Sequence, residues 1–162
     1  MHNPYSPPEA RVEDVQVVKG SGVKAVTIGV LVDIGGSTLA GILLTMIYGV
    51  YLMASGVSED KLMEAIFNMP HDSLIGMVGV LVGCLFSVLG GYVCARIARH
   101  SEYKFGLIAS CISVIFGFVV SMGAYSLPMN LALSFVTFGS VMLGIQLGVS
   151  KNRAPQQPRP AP

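Results

Sequence analysis

Between Lys104 and Lys151 the chain carries no Asp, Glu, Lys or Arg. Few environments accept such a run. A helix of a soluble domain keeps a charged or polar face toward water, so its apolar stretches are interrupted every turn or two. A bilayer core is about 30 Å thick and takes about 20 helical residues to cross, so residues 105–150 are too long for one crossing and long enough for two. Ser73–Ala95 is also free of charge and spans roughly the same core. A further apolar run, from about Val23 to Met53, exceeds what one crossing needs and must tilt or protrude. The whole chain is only 12 % charged, against about 25 % for soluble domains.

These spacings predict an all-α polytopic membrane protein, a bundle of four transmembrane helices over residues 23–53, 73–98, 105–125 and 131–149. A short helix is expected at residues 59–69. Ser58 would cap it, Glu59 and Asp60 suit its positive N-terminal end, and Pro70 stops it. Its apolar face, Leu62, Met63, Ile66, Phe67 and Met69, lies on the membrane surface or caps the mouth of the bundle. The uncharged segment 125–130 reads as a turn. Residues 1–22 and 151–162, polar and Pro-bearing, read as disordered tails flanking the 23–150 domain, with Gly20-Ser21-Gly22 as a flexible joint. A cleavable signal peptide is not expected, because the first 22 residues are polar and the first apolar run is too long.

Lys and Arg set orientation. Nine of the ten flank the helix ends at Arg11, Lys19 and Lys24, at Arg96, Arg99 and Lys104, and at Lys151, Arg153 and Arg159. Lys61 alone lies on the other side. The positive-inside rule places both termini in the cytoplasm and the 54–72 loop, with its short helix, outside.

Small residues recur at every fourth position. The second span has Gly79, Gly83, Ser87, Gly91 and Ala95, and the first has Ala25, Gly29, Asp33, Ser37, Gly41, Thr45 and Gly49. Shorter rows run through Ala109, Ser113, Gly117 and Ser121 and through Ser140, Gly144 and Gly148. In lipid, burying leucine drives no association, whereas small residues let backbones approach closely. An i+4 row drifts by about 40° per step, so it meets strongly crossed neighbours or two different partners. Either the bundle satisfies its own rows, or one row faces a second copy or another membrane subunit.

Asp33 is the only charge deep within a span, since Lys24 and Arg96 lie near span ends. A carboxylate at depth costs at least about 2.5–3.5 kcal/mol, so it needs a partner or a purpose. Counting from the basic ends puts Tyr92 and Ser113 near its depth, with Arg96 and Gln146 a turn or two closer to the cytoplasm. Asp33, Tyr92, Arg96, Ser113 and Gln146 are therefore the candidate intramembrane polar layer. Asp33 either fixes helix register through Arg96 or Tyr92, or handles protons or cations.

No metalloprotease, nucleophile-elbow or phosphate-loop motif is present, so no catalytic residue, metal or cofactor is expected. Cys84, Cys94 and Cys111 read as apolar packing residues, and His71 and His100 as solvated helix ends. With no Trp and no basic tract, nothing suggests nucleic acid.

Gly90-Gly91-Tyr92-Val93-Cys94-Ala95-Arg96-Ile97-Ala98-Arg99, followed by Glu102-Tyr103, resembles the end of the second helix in a family of small uncharacterised bacterial four-helix inner-membrane proteins. The Val32-Asp33-Ile34-Gly35-Gly36-Ser37 stretch fits the same likeness, while Cys94 stands where alanine is usual. The resemblance implies a bacterial inner membrane and no particular activity. Two functions are then expected from the chain. One is a non-enzymatic accessory or assembly component that packs through its small-residue faces against itself or another membrane subunit. The alternative is a small oligomeric transporter or channel that uses Asp33 as a proton or cation site.

Overall fold

A computed structural model describes residues 20–67 and 73–153. Among the described residues, four helices are long and apolar enough to cross a membrane: α1 (Gly22–Ala54), α3 (Leu74–Ala98), α4 (Glu102–Val120) and α5 (Leu127–Arg153). The short α2 (Glu59–Phe67) joins the first pair. Residues 1–19, 68–72 and 154–162 lie outside the described residues, and with them most of both expected tails, the end of the 59–69 helix and His71.

The helix ends explain where sequence-based boundaries drift. Ser21 caps α1 by accepting from the Lys24 N–H at 3.4 Å, and Ser73 caps α3 by accepting from Gly76 at 3.1 Å. Gly20 and Gly22, expected as a flexible joint, instead pack closely: a Cβ at Gly20 would run into the Ile97 carbonyl, and one at Gly22 into the Phe105 ring. The expected 125–130 turn is mostly helix. Ser126 accepts the Asn130 N–H at 2.9 Å, and Pro128 falls in the first turn of α5, where its missing N–H goes unneeded. α4 stops at Val120, where Ser121 caps it before a short turn whose Gly123 has φ +89°.

At the other end, α5 runs through Lys151–Arg153, residues expected in a disordered tail. Asn152 holds them in place. Its Nδ2 donates to the Ala95 carbonyl at 3.0 Å, and its Oδ1 accepts from Arg96 Nη1 at 2.8 Å. The α3–α4 connection is tight enough to put Arg99 and Ser101 in the left-handed region. His100, expected as a solvated end residue, is half-buried. It donates from Nδ1 to the Ala98 carbonyl at 2.7 Å and meets the Phe105 ring edge-on at 5.3 Å.

α3 is the central helix: α5, α1 and α4 all pack on it. Its small-residue row takes two partners. Ser87 faces α1, while Gly91 and Ala95 face α5, where a Cβ on Gly91 would meet the Val141 carbonyl. The residues beside that row, Gly90 and Cys94, press against Gly29 of α1. From α5, Gly144 abuts the Val88 carbonyl, and a Cβ at Gly148 would come within 2.6 Å of the Ala95 Cβ. Close backbone approach of this kind gives a core made largely of Ala25, Cys94, Ala95, Ala98 and Ala109, with Val141, Ile145 and Val149 as its larger members. Larger apolar side chains point outward, among them Leu39, Leu43 and Ile47 on α1, Leu81 and Leu85 on α3, and Phe135 on α5. These surfaces are consistent with lipid contact.

The packing is uneven along the bundle. It is tight at the basic end, which carries Lys24, Arg96, Lys104 and Arg153. Toward the opposite, loop end the helices separate. There the Gly36–Ala54 half of α1 packs mainly on α3 and α2, with no comparable contact to α4 or α5. Its row follows this change: Ala25, Gly29 and Asp33 are buried, Gly41 and Thr45 are exposed, and Gly49 is buried again beside Ile66 of α2.

Candidate functional site

Asp33 sits where α1 departs from regular geometry. Leu31–Gly35 form one π turn, and the Gly36 N–H is shared between the Val32 and Asp33 carbonyls. The Ser37 hydroxyl also donates to the Asp33 carbonyl. On the far side of the turn, Gly29 and Gly90 bring α1 and α3 together. A Cβ on Gly90 would lie 2.6 Å from the Gly29 carbonyl oxygen and 2.8 Å from the Asp33 Cβ. Only glycine fits there, and the contact presses Asp33 against α3.

The Asp33 side chain is 5 % exposed. Ser87 donates its hydroxyl to Asp33 Oδ1 at 2.7 Å across the α1–α3 interface. Asp33 Oδ2 is buried and has no hydrogen-bond partner among the described residues. Such an atom is costly, because its lost hydration is not replaced.

Asp33 lines a cleft of about 320 Å³ bounded by α1, α3, α4 and α5. The cleft reaches from Asp33, Ser87 and Ser113 to Ser121 and Asn130 near the loop end. Its walls mix apolar side chains such as Val80, Val114 and Phe116 with hydroxyls. Asn130, 4 % exposed, accepts from the Ser121 hydroxyl at 2.6 Å. Among the described residues, no Lys, Arg or His lines the cleft, and Cys84 is the only other titratable group that does.

Of the five residues expected in one polar layer, Asp33 and Ser113 share the cleft. Tyr92 and Arg96 are half-buried and Gln146 is exposed, and none of the three lines it. Arg96, expected to reach inward, is instead engaged by Asn152 at the basic end; a planar guanidinium with an amide acceptor one helix away has no need to bridge a turn of apolar core. In the expected packing row, Ser87, Gly91 and Ala95 are buried contacts. Gly79 and Gly83 have nothing within 4 Å of where a Cβ would stand, and Gly83 lines the cleft.

Sequence reading passed over Asn130, Ser134 and Thr137, which line the outer part of the cleft. Their signal was present: at i, i+4 and i+7 they form one polar face on an otherwise apolar helix. Treating residues 125–130 as a turn hid the start of that face. Among the described residues, no group of three His, Cys, Asp or Glu side chains is placed to hold a metal ion. Comparison of the chain with known protein families, with curated proteins and with solved structures found no match.

Proposed function

We propose that the chain is a multi-pass protein of a bacterial inner membrane, with both termini cytoplasmic. In this reading it is a small transporter or channel, not an enzyme, that admits a proton or cation from the outer side to Asp33. The observation that carries this is a carboxylate with 5 % exposure at the inner end of a cleft; among the described residues, one of its oxygens has no partner and no cationic side chain lines the cleft. A buried carboxylate with one oxygen left unpaired costs stability and persists where its charge is used. The basic residues gathered at the opposite end support the orientation, since they make the cleft open away from the cytoplasm. One bundle of this size is small to enclose an alternating-access site, so the working unit is an oligomer.

The test is flux in vesicles that contain the purified chain, driven by an imposed potential and read by an internal pH dye or by sodium uptake. Wild type is expected to exceed protein-free vesicles. Asp33→Asn, of unchanged oligomeric size and melting temperature, is expected to fall to the protein-free rate. Asp33→Asn flux equal to wild type would overturn the reading.

The accessory reading has one observation of its own. Gly41, Gly79, Gly83, Gly117 and Gly139 all have open space beside them, so small-residue surface stays uncovered toward the loop end. Against it, the rows nearest the basic end are consumed within the bundle. Native mass measurement after gentle extraction separates the two: a stable particle holding other chains supports an accessory role, and a pure homo-oligomer supports the transporter.

A further inference from the structure

We propose that the cleft binds a small organic ammonium ion, a part-apolar molecule whose cationic nitrogen donates to Asp33 Oδ2. This rests on Asp33 being a cation site and names the class of cation.

Three features of the cleft select that class. The first is size. Liquid water takes about 30 Å³ per molecule, so a cleft of about 320 Å³ has room for a molecule and not only a bare ion. It stands at the lower end of small-molecule pockets, about 300–1,000 Å³.

The second is the donor set. Hard divalent cations gather six or more oxygens, usually with more than one carboxylate. Here one carboxylate lines the cleft, and its Oδ1 already accepts from Ser87. What remains is Oδ2, buried and without a partner among the described residues. A single charge-assisted N–H donor satisfies it, and the ligand's positive charge supplies the counter-ion that the protein does not. The hydroxyls of Ser37 and Ser113 line the same cleft as acceptors for further N–H groups.

The third is the wall. Val80, Val114 and Phe116 offer apolar surface that a hydrated inorganic ion does not use and a hydrocarbon body does.

The probe is 4-fluorobenzylammonium, followed by fluorine NMR against the full-length protein in nanodiscs, with empty nanodiscs as the blank. The neutral control is 4-fluorobenzyl alcohol and the competitor is sodium chloride. The ammonium is expected to bind saturably, and the alcohol at least about ten-fold more weakly, the loss of one charged hydrogen bond. Asp33→Asn is expected to bring the ammonium down to the alcohol's affinity. Gly83→Leu provides a variant that spares the carboxylate. Its side chain grows into open space in the cleft, so the protein is expected to keep its melting temperature and lose the probe.

Equal binding of ammonium and alcohol would overturn the proposal, as would undiminished binding to Gly83→Leu or no saturable binding at millimolar probe. Displacement of the probe by sodium chloride but not by methylammonium chloride at the same concentration would assign the site to an inorganic cation and also overturn it. Failure here is separable from failure of the transporter reading. Asp33-dependent flux without ammonium binding removes only the ligand class. Ammonium binding without flux removes transport and leaves the site.

Discussion

Gly83 and Gly91 stand two steps apart in one row of α3 and have opposite surroundings. A methyl on Gly91 meets the Val141 carbonyl, which is part of a helix backbone and cannot step aside. A methyl on Gly83, or on Gly79, meets nothing within 4 Å. Gly91→Ala, and Gly144→Ala on the facing helix, are therefore expected to destabilise the protein by about 1–3 kcal/mol through overpacking. Gly79→Ala is expected to stay within about 0.5 kcal/mol of wild type. Denaturant titration of the purified protein, followed by helical signal, checks the ranking; equal effects at all three positions would contradict the packing described. The four-residue spacing was legible in the sequence, and so was the cost of Asp33. What each small residue touches was not, since spacing places residues on a row and says nothing of where the neighbouring helix leaves it.

Two helices show how side chains from elsewhere decide an element's shape. α5 keeps its last turn because Asn152 bridges to α3, accepting from Arg96 and donating to the Ala95 carbonyl. Asn152→Ala is expected to cost about 1–3 kcal/mol, the penalty for orphaning half-buried polar groups, and to speed amide exchange in residues 150–153. Exchange measured by mass spectrometry checks this; unchanged protection there would show that the turn holds without the bridge. Within Lys-Asn-Arg-Ala-Pro nothing local distinguishes helix from tail, so the boundary lay beyond sequence reasoning. The π turn of α1 was half visible. Two adjacent glycines, Gly35-Gly36, are a local sign of a weak place in a helix, but the wide turn itself lies over Leu31–Gly35, beside the Gly29–Gly90 contact that no single-chain pattern displays.

At the scale of the molecule, the basic residues and the cleft define two unlike ends. Arg96, Arg99, Lys104 and Arg153 sit at the tightly packed end, while the cleft reaches Ser121 and Asn130, toward the end that carries Ser55 and Ala124. If positive charge sets orientation, single cysteines at Ser55 and Ala124 label with a membrane-impermeant maleimide in intact cells. Cysteines at Lys104 and Arg153 are expected to label only after permeabilisation. The background replaces Cys84, Cys94 and Cys111, and Gly56 and Gly123 are avoided because their positive φ disfavours any side chain. The reverse pattern would turn the cleft toward the cytoplasm.

Number, type and approximate extent of the apolar helices were settled by local chemistry: charge-free length, caps and small-residue spacing act within one segment and survive in a bare list of residues. Which helix is central, which glycines pack and which stay open, and that Asp33 shares a cleft with Ser87, Ser113 and Asn130 while Arg96 turns away, depended on how four such segments lean on one another. Lipid does not discriminate among apolar faces, so helix rotation and crossing follow from close contacts between distant residues. Those contacts, such as Gly29 with Gly90 and Asn152 with Ala95, exist only once the chain has come together.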